Sequence, residues 1–265
     1  MALIQHKNIQ VRFDQQVENS TNYVLPFIEK THFIGEGTHV MEVGCAEGGV
    51  LLPFLEKGCT CVGVDLADHR IETSKEFLAQ YVSAGKATMR CINIYEDDFV
   101  NQYAGTFDVI ILKDVIEHVP EQQKFIPHLA RFLKPGGQIF FGFPPWYMPF
   151  GGHQQVCNGK LASKLPYYHI LPRPLYKLIL QIMGESKVNI QCLLEIWDTS
   201  ITIGQFENYC QEAGLKIVNK QHYLINPIYK YKFGLQPRKQ WHFIGAIPFL
   251  RNFITTCVYY TVGKS

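Results

Sequence analysis

The chain has 265 residues, 47% hydrophobic and 18% charged, with a formal net charge of +2. That composition supports a sizeable core and excludes disordered, collagen-like and strongly charged chains, and the length suits one domain with insertions. The net charge conceals an asymmetry: residues 1–145 carry 12 Lys+Arg against 18 Asp+Glu (−6), and residues 146–265 carry 13 against 5 (+8).

A basic half suggests an anionic partner, whether substrate, nucleic acid or lipid headgroup, or else solvated surface lysines. Eight cysteines are scattered without a CxxC pair, and they form no zinc spacing with the ten histidines. Met1–Lys7 does not read as a secretory leader. The expectation is a cytoplasmic protein with reduced thiols and no metal site.

Residues 1–38 form an N-terminal helical extension, with a short amphipathic helix over 23–30. Val40-Met-Glu-Val is a buried strand that runs through Gly44-Cys-Ala-Glu-Gly-Gly49 into a helix over 49–57. A strand that turns through glycines into a helix brings backbone N–H groups up to a ligand. Thr60–Asp65 is a second strand, and Asp65 falls 21 residues after Gly44. That spacing suits an acid that accepts both hydroxyls of a ribose. Asp68 is the expected cap of the next helix, 69–84, which leaves Asp65 to a ligand. Strand three covers 87–94, strand four 107–114, a helix 119–133 and strand five 138–143. Alternation of this kind predicts an α/β doubly wound, mostly parallel sheet, with ligands at the carboxyl ends of its strands.

Four stretches come in a fixed order over residues 38–145: Val40-Met-Glu-Val-Gly-Cys-Ala-Glu-Gly48, Val62-Gly-Val-Asp65, Phe107-Asp-Val-Ile-Ile-Leu-Lys-Asp-Val-Ile-Glu-His-Val119 and Phe132-Leu-Lys-Pro-Gly-Gly-Gln-Ile-Phe140. Together they resemble class I S-adenosylmethionine-dependent methyltransferases. The resemblance implies a seven-stranded sheet with its last strand antiparallel, and S-adenosylmethionine as methyl donor. It places Gly44, Cys45, Ala46 and Gly48 around the methionine moiety, with Glu42 in support. Asp65 would hold the ribose and Leu66 would pack on adenine. Asn93 would accept from the adenine amino group beside Ile94, and Lys113 would approach the sulfonium through its backbone. Ala46 replaces the usual second glycine. Asn93 stands where an acid is usual, with Asp97 and Asp98 as rivals. A loosened dinucleotide fingerprint is the competing cofactor reading, but it leaves Glu117-His-Val and Lys134-Pro-Gly-Gly unexplained.

Residues 144–200 form an insertion directly after strand five, over the edge where the sulfonium would lie. Trp146, Tyr147 and Phe150 are expected either to pack on an acceptor or to pack the lid. Gly151-Gly152 would deliver His153, which with His118 is the candidate general base. Residues 201–265 hold strands six (215–220) and seven (253–262), separated by a second insertion, 224–250. Pro248, Arg251 and Asn252 interrupt the apolar run there, so no spanning helix is expected, while peripheral membrane contact stays open. The acceptor is expected to be a small molecule, with anionic and lipid-linked compounds among the candidates. The alternatives are an RNA or protein methyltransferase using the basic part and a non-catalytic cofactor-binding protein. Nucleic acid is the less favoured partner, and oligomeric state is not legible.

Overall fold

The computed structural model describes residues 8–264; Met1–Lys7, read above as lacking a leader, and Ser265 lie outside them. Helix α1 (Ile9–Asn19) runs through a π turn (Ser20–Val24) into α2 (Leu25–Ile28). The N-terminal helix is therefore far longer than the stretch expected at 23–30. Next come β1 (His39–Val43), α3 (Leu52–Glu56), β2 (Thr60–Asp65), α4 (Asp68–Phe77), α5 (Ala79–Ser83) and β3 (Ala87–Cys91). They are followed by α6 (Asp97–Tyr103), β4 (Phe107–Lys113), a 3-10 turn (Ile116–His118), α7 (Gln122–Ala130) and β5 (Leu133–Phe143).

The sheet has eight strands in the order β3-β2-β1-β4-β5-β8-β6-β7. Strands β1 to β5 are parallel to one another, and β8 (Cys257–Lys264) is antiparallel to both β5 and β6 (Leu215–Ile225). The seven expected strands are all present. The eighth is the two-residue edge strand β7 (Arg238–Lys239), which folds back on β6 from within the second insertion. Strand order reverses between β1 and β4, which opens a crevice at their carboxyl ends.

Alternation along β1 sets the two faces. Met41 and Val43 belong to the core beneath α6, α7 and α10 (Ile203–Glu212), and Val40 to the core beneath α1, α2 and α3. Glu42 shares the side of Val40, two residues away, so it faces the N-terminal helices.

Several boundaries differ from expectation for local reasons. Pro53 fits only a first helical turn, so α3 starts at Leu52. The helix expected over 69–84 breaks at Leu78, whose fully buried side chain wedges against Gly48. Asn93 accepts the N–H of Tyr95 at 3.1 Å in a local turn, and β3 ends before it. Pro120 holds Val119 extended, which delays α7 to Gln122. The start of the expected last strand is instead α13 (Leu250–Ile254), tied down by Asn252 Oδ1, which accepts the Ile203 N–H at 2.9 Å.

Between β5 and α10, helices α8 (Arg173–Ile182) and α9 (Lys187–Thr199) pack around a small core of their own that includes Cys157, Tyr168, Tyr176 and Leu193. The second insertion adds α11 (Tyr229–Phe233) and α12 (His242–Gly245). No helix among the described residues is long and apolar enough to cross a membrane.

Candidate active site

Three cavities open in series along the carboxyl edge of the sheet. The largest, about 530 Å³, lies across the ends of β1, β2 and β3 and is lined by Gly44, Asp65, Leu66, Asn93, Ile94 and His118, among others. Gly44 has φ 71°, and a Cβ there would meet Val115 Cγ2 at 2.6 Å, so only glycine fits. Leu66 is 75% exposed and offers a free apolar face to a flat ring. Asp97 and Asp98 sit in the first turn of α6, whereas Asn93 is on the cavity wall.

The turn's N–H groups are not bare, contrary to expectation. Gly44 and Cys45 both donate to the Val64 carbonyl, at 2.8 and 3.0 Å, and Ala46 donates to Asp65 Oδ2 at 3.0 Å. Asp65 Oδ1 accepts the Ala67 N–H at 2.9 Å. Asp65 thus closes a local turn just before α4, and no side chain caps that helix: Asp68 is its first residue. Each carboxylate oxygen keeps a second lone pair, and Asp65 is on the cavity wall. Two further residues act through packing. The Cys45 thiol is buried in the core beneath Gly63, and Gly48, at φ 81°, makes room for Leu78.

Gly44 also borders a second cavity of about 150 Å³, lined by Gln16, Asn19, Glu42, Ala46, Arg70, Lys113, Asp114 and Ile228, among others. Three buried oxygens here have no partner: Gln16 Oε1, Asn19 Oδ1 and Glu42 Oε2. Buried acceptors without donors are costly, so three around one small space fit a ligand that brings N–H groups. Burial, with Asp65 adding to it and Lys113 opposing it, holds the Glu42 carboxyl well above the usual range. An incoming ammonium would ionise it. Helix α1 is pinned over this cavity by an ion pair from Arg12 to the buried Glu47 of the glycine turn.

Asp114 and Ile228 lead on to a third cavity of about 220 Å³, whose walls include Glu117, Met148, His153, Asn226, Tyr229 and Lys232. Asp114 lies deep among protein atoms, yet 42% of its side chain is open to the cleft, and its ion pair with Lys113 spans the junction. His153 and Asp114 both hold left-handed backbones, at φ 56° and 57°. A Cβ on Gly151 would lie 2.0 Å from the Trp146 carbonyl oxygen, so the tight turn delivering His153 requires glycine. His118 and His153 meet edge to face with centroids 4.9 Å apart. Burial, then the nearby His118, pushes the His153 imidazole down to about 3. Burial also lowers His118, against the pull of Asp114. Both rings are neutral near pH 7, and at that value His153 is a weak base. Of the two roles open to the aromatics, Trp146 and Tyr147 take lid packing. Trp146 is buried against His169 and Trp197, and Tyr147 stacks on Phe253.

A family model described as a methyltransferase domain matches residues 16–220. The chain belongs to the class I S-adenosylmethionine-dependent methyltransferases. A ubiquinone biosynthesis O-methyltransferase of Idiomarina loihiensis is 33% identical over 105 residues, 40% of this chain and 42% of that protein. The chain thus spans less than half the length of the curated relatives it matches. Two solved structures share the fold. Geranyl diphosphate C-methyltransferase of Streptomyces coelicolor has a TM-score of 0.58 at 11% identity, covering 91% of this chain and 76% of that one. A phosphoethanolamine N-methyltransferase of Haemonchus contortus has 0.54 at 14%, covering 92% and 52%.

The methyltransferase's cavities suit its cofactor, which supplies a methyl group already activated on a sulfonium. Asp65, Leu66, Asn93 and Ile94 would take the adenosine, and Glu42, Gln16 and Asn19 the amino end of the methionine. Gln16, Asn19, Arg70, Asn226, Tyr229 and Lys232 were not anticipated from sequence. The spacing of Gln16 and Asn19 on one helical face is a usable signal only once α1 is known to cross the glycine turn.

Proposed function

We propose that this methyltransferase methylates an oxygen of a small anionic acceptor seated in the third cavity. The observation that carries it is the set of side chains there: a half-buried lysine, Lys232, with the neutral His153 imidazole and the Glu117 carboxyl, directly beyond the methionine end of the cofactor cavities. Lys232 is held in the cavity beside Asp114, and a cation there suits an acceptor that carries negative charge. His153 and His118 are proposed to contact the acceptor oxygen and orient it. Alignment and exclusion of water supply most of the rate, because the methyl donor needs no further activation. The O-methyltransferase name of the curated relatives favours oxygen as the accepting atom.

We assign residues 144–200 and 224–250 to the acceptor region, since both insertions contribute walls to the third cavity. A lipid-linked acceptor is favoured by the exposed Trp241, Phe243 and Phe249 of the second insertion, near the exposed Arg238 and Lys239. On this reading the enzyme works in the cytoplasm, in peripheral contact with a lipid surface.

The test is methyl transfer from labelled S-adenosylmethionine to matched small acceptors carrying phenolic hydroxyl, amine or activated carbon, with and without a prenyl tail. Product mass and fragmentation should show an O-methyl group. Methylation of amines alone, or of RNA with salt-sensitive binding, would reject the proposal.

A further inference from the structure

Glu117 is a buried carboxyl in need of a partner. It is 4% exposed, and neither of its oxygens has a hydrogen-bond partner. Its own main-chain N–H approaches it without hydrogen-bonding geometry. An isolated buried carboxyl is costly, and evolution has many apolar alternatives for a site that only needs filling. This one faces the third cavity, and beside it stand His118 and His153. One ligand atom from each of these three side chains lies within 4.8 Å of the other two.

We propose that Glu117, His118 and His153 bind one divalent transition-metal ion at the floor of the acceptor cavity. Two imidazoles and one carboxylate without thiolates form a donor set suited to Zn²⁺, Fe²⁺, Co²⁺ or Mn²⁺, with coordination positions left open. Bonds of about 2.0–2.2 Å require the donors to close to roughly 3.4 Å at the tetrahedral angle. His118 is exposed, so its ring has room to turn inward.

Two fixed turns deliver the ligands. The 3-10 turn Ile116–His118 is held by Gln122, whose Nε2 donates to the Ile116 carbonyl at 3.1 Å, and by Thr199, whose hydroxyl donates to the Glu117 carbonyl at 2.5 Å. The His153 N–H donates to the Phe150 carbonyl at 3.0 Å, beyond the Gly151-Gly152 turn. Ligands on braced turns are what a preorganised metal site needs.

The open positions would face the acceptor cavity. The ion would then lie within reach of an acceptor hydroxyl in that cavity and would ease loss of the hydroxyl proton to solvent. This gives the weakly basic His153 a part other than proton abstraction. The inference does not depend on which acceptor is methylated.

The experiment is titration of the EDTA-stripped full chain with Zn²⁺, Mn²⁺, Co²⁺ and Mg²⁺ by calorimetry, with metal content after dialysis as a second readout. Wild type should bind one transition-metal ion per chain. Glu117→Gln, His118→Ala and His153→Ala should each weaken that binding by more than about tenfold. Melting temperatures measured in EDTA report whether each variant is folded, and the isosteric Glu117→Gln is the one best expected to be. A metal-dependent rise in melting temperature should be seen for wild type and be lost in folded variants. No binding by wild type at millimolar metal, or binding that survives all three substitutions, would overturn the proposal.

Discussion

The Asp65 carboxylate accepts the main-chain N–H of Ala46 at 3.0 Å, and Ala46 is held at φ 47°, a left-handed backbone that alanine seldom adopts. The acid at the end of β2 thus braces the turn at the end of β1, with its other oxygen on Ala67. Asp65→Ala should lose on two counts. Cofactor affinity should fall by about 1.5–3 kcal/mol, the range for hydrogen bonds to a charged group. Stability without ligand should fall too, by about 1–3 kcal/mol, because two N–H groups lose their acceptor at a half-exposed site. Urea unfolding of the ligand-free protein and calorimetry with S-adenosylhomocysteine measure the two effects separately. Unchanged stability would mean that the brace is dispensable.

Gly44→Ala combines an unfavourable left-handed backbone with a clash. The backbone term alone is about 1–2 kcal/mol. The new methyl would press on Val115, a wall of the largest cavity. Binding of S-adenosylhomocysteine should drop sharply while the far-ultraviolet spectrum stays native. Wild-type affinity in this variant would show that the turn has slack that its geometry denies.

Glu42 predicts a pH signature. Its carboxyl is raised from an ordinary value of 4.5 by burial, then by Asp65. Stability from the neutral acid is present below the ordinary value and is lost as pH rises through the raised one. Glu42→Gln has no such charge to bury. Without cofactor, the variant should gain on wild type between pH 5 and pH 8, while its affinity for the cofactor falls. Denaturation curves at the two pH values decide this, and a constant gap would remove Glu42 as the source.

The cofactor half of the site was legible because its signal is local. The turn from Gly44 to Gly48 and the acid at Asp65 occupy one βαβ unit, where spacing along the chain fixes spacing in space. Even there part of the wiring was hidden, since nothing in the sequence shows that Asp65 accepts the Ala46 and Ala67 N–H groups while Asp68 caps nothing. Gln16 and Asn19 were missed because α1 reaches the site by tertiary packing, marked only by the close approach of Gly49 to Phe13 and Gln16. Lys232 and Tyr229 arrive from an insertion whose path no periodicity specifies. For Trp146 and Tyr147 the sequence left two roles open, because aromatic content reports burial and not the partner; here what they meet is the lid itself.

The central claim is that three joined cavities hold adenosine, methionine and acceptor in that order along the sheet edge. A crystal structure of the chain with S-adenosylhomocysteine tests it most directly. The account predicts adenine between Leu66 and Ile94, ribose hydroxyls on Asp65, and the amino group among Glu42, Gln16 and Asn19. The sulfur should lie at the junction marked by Asp114. An amino end turned to solvent, or the ligand seated in any other cavity, would contradict it.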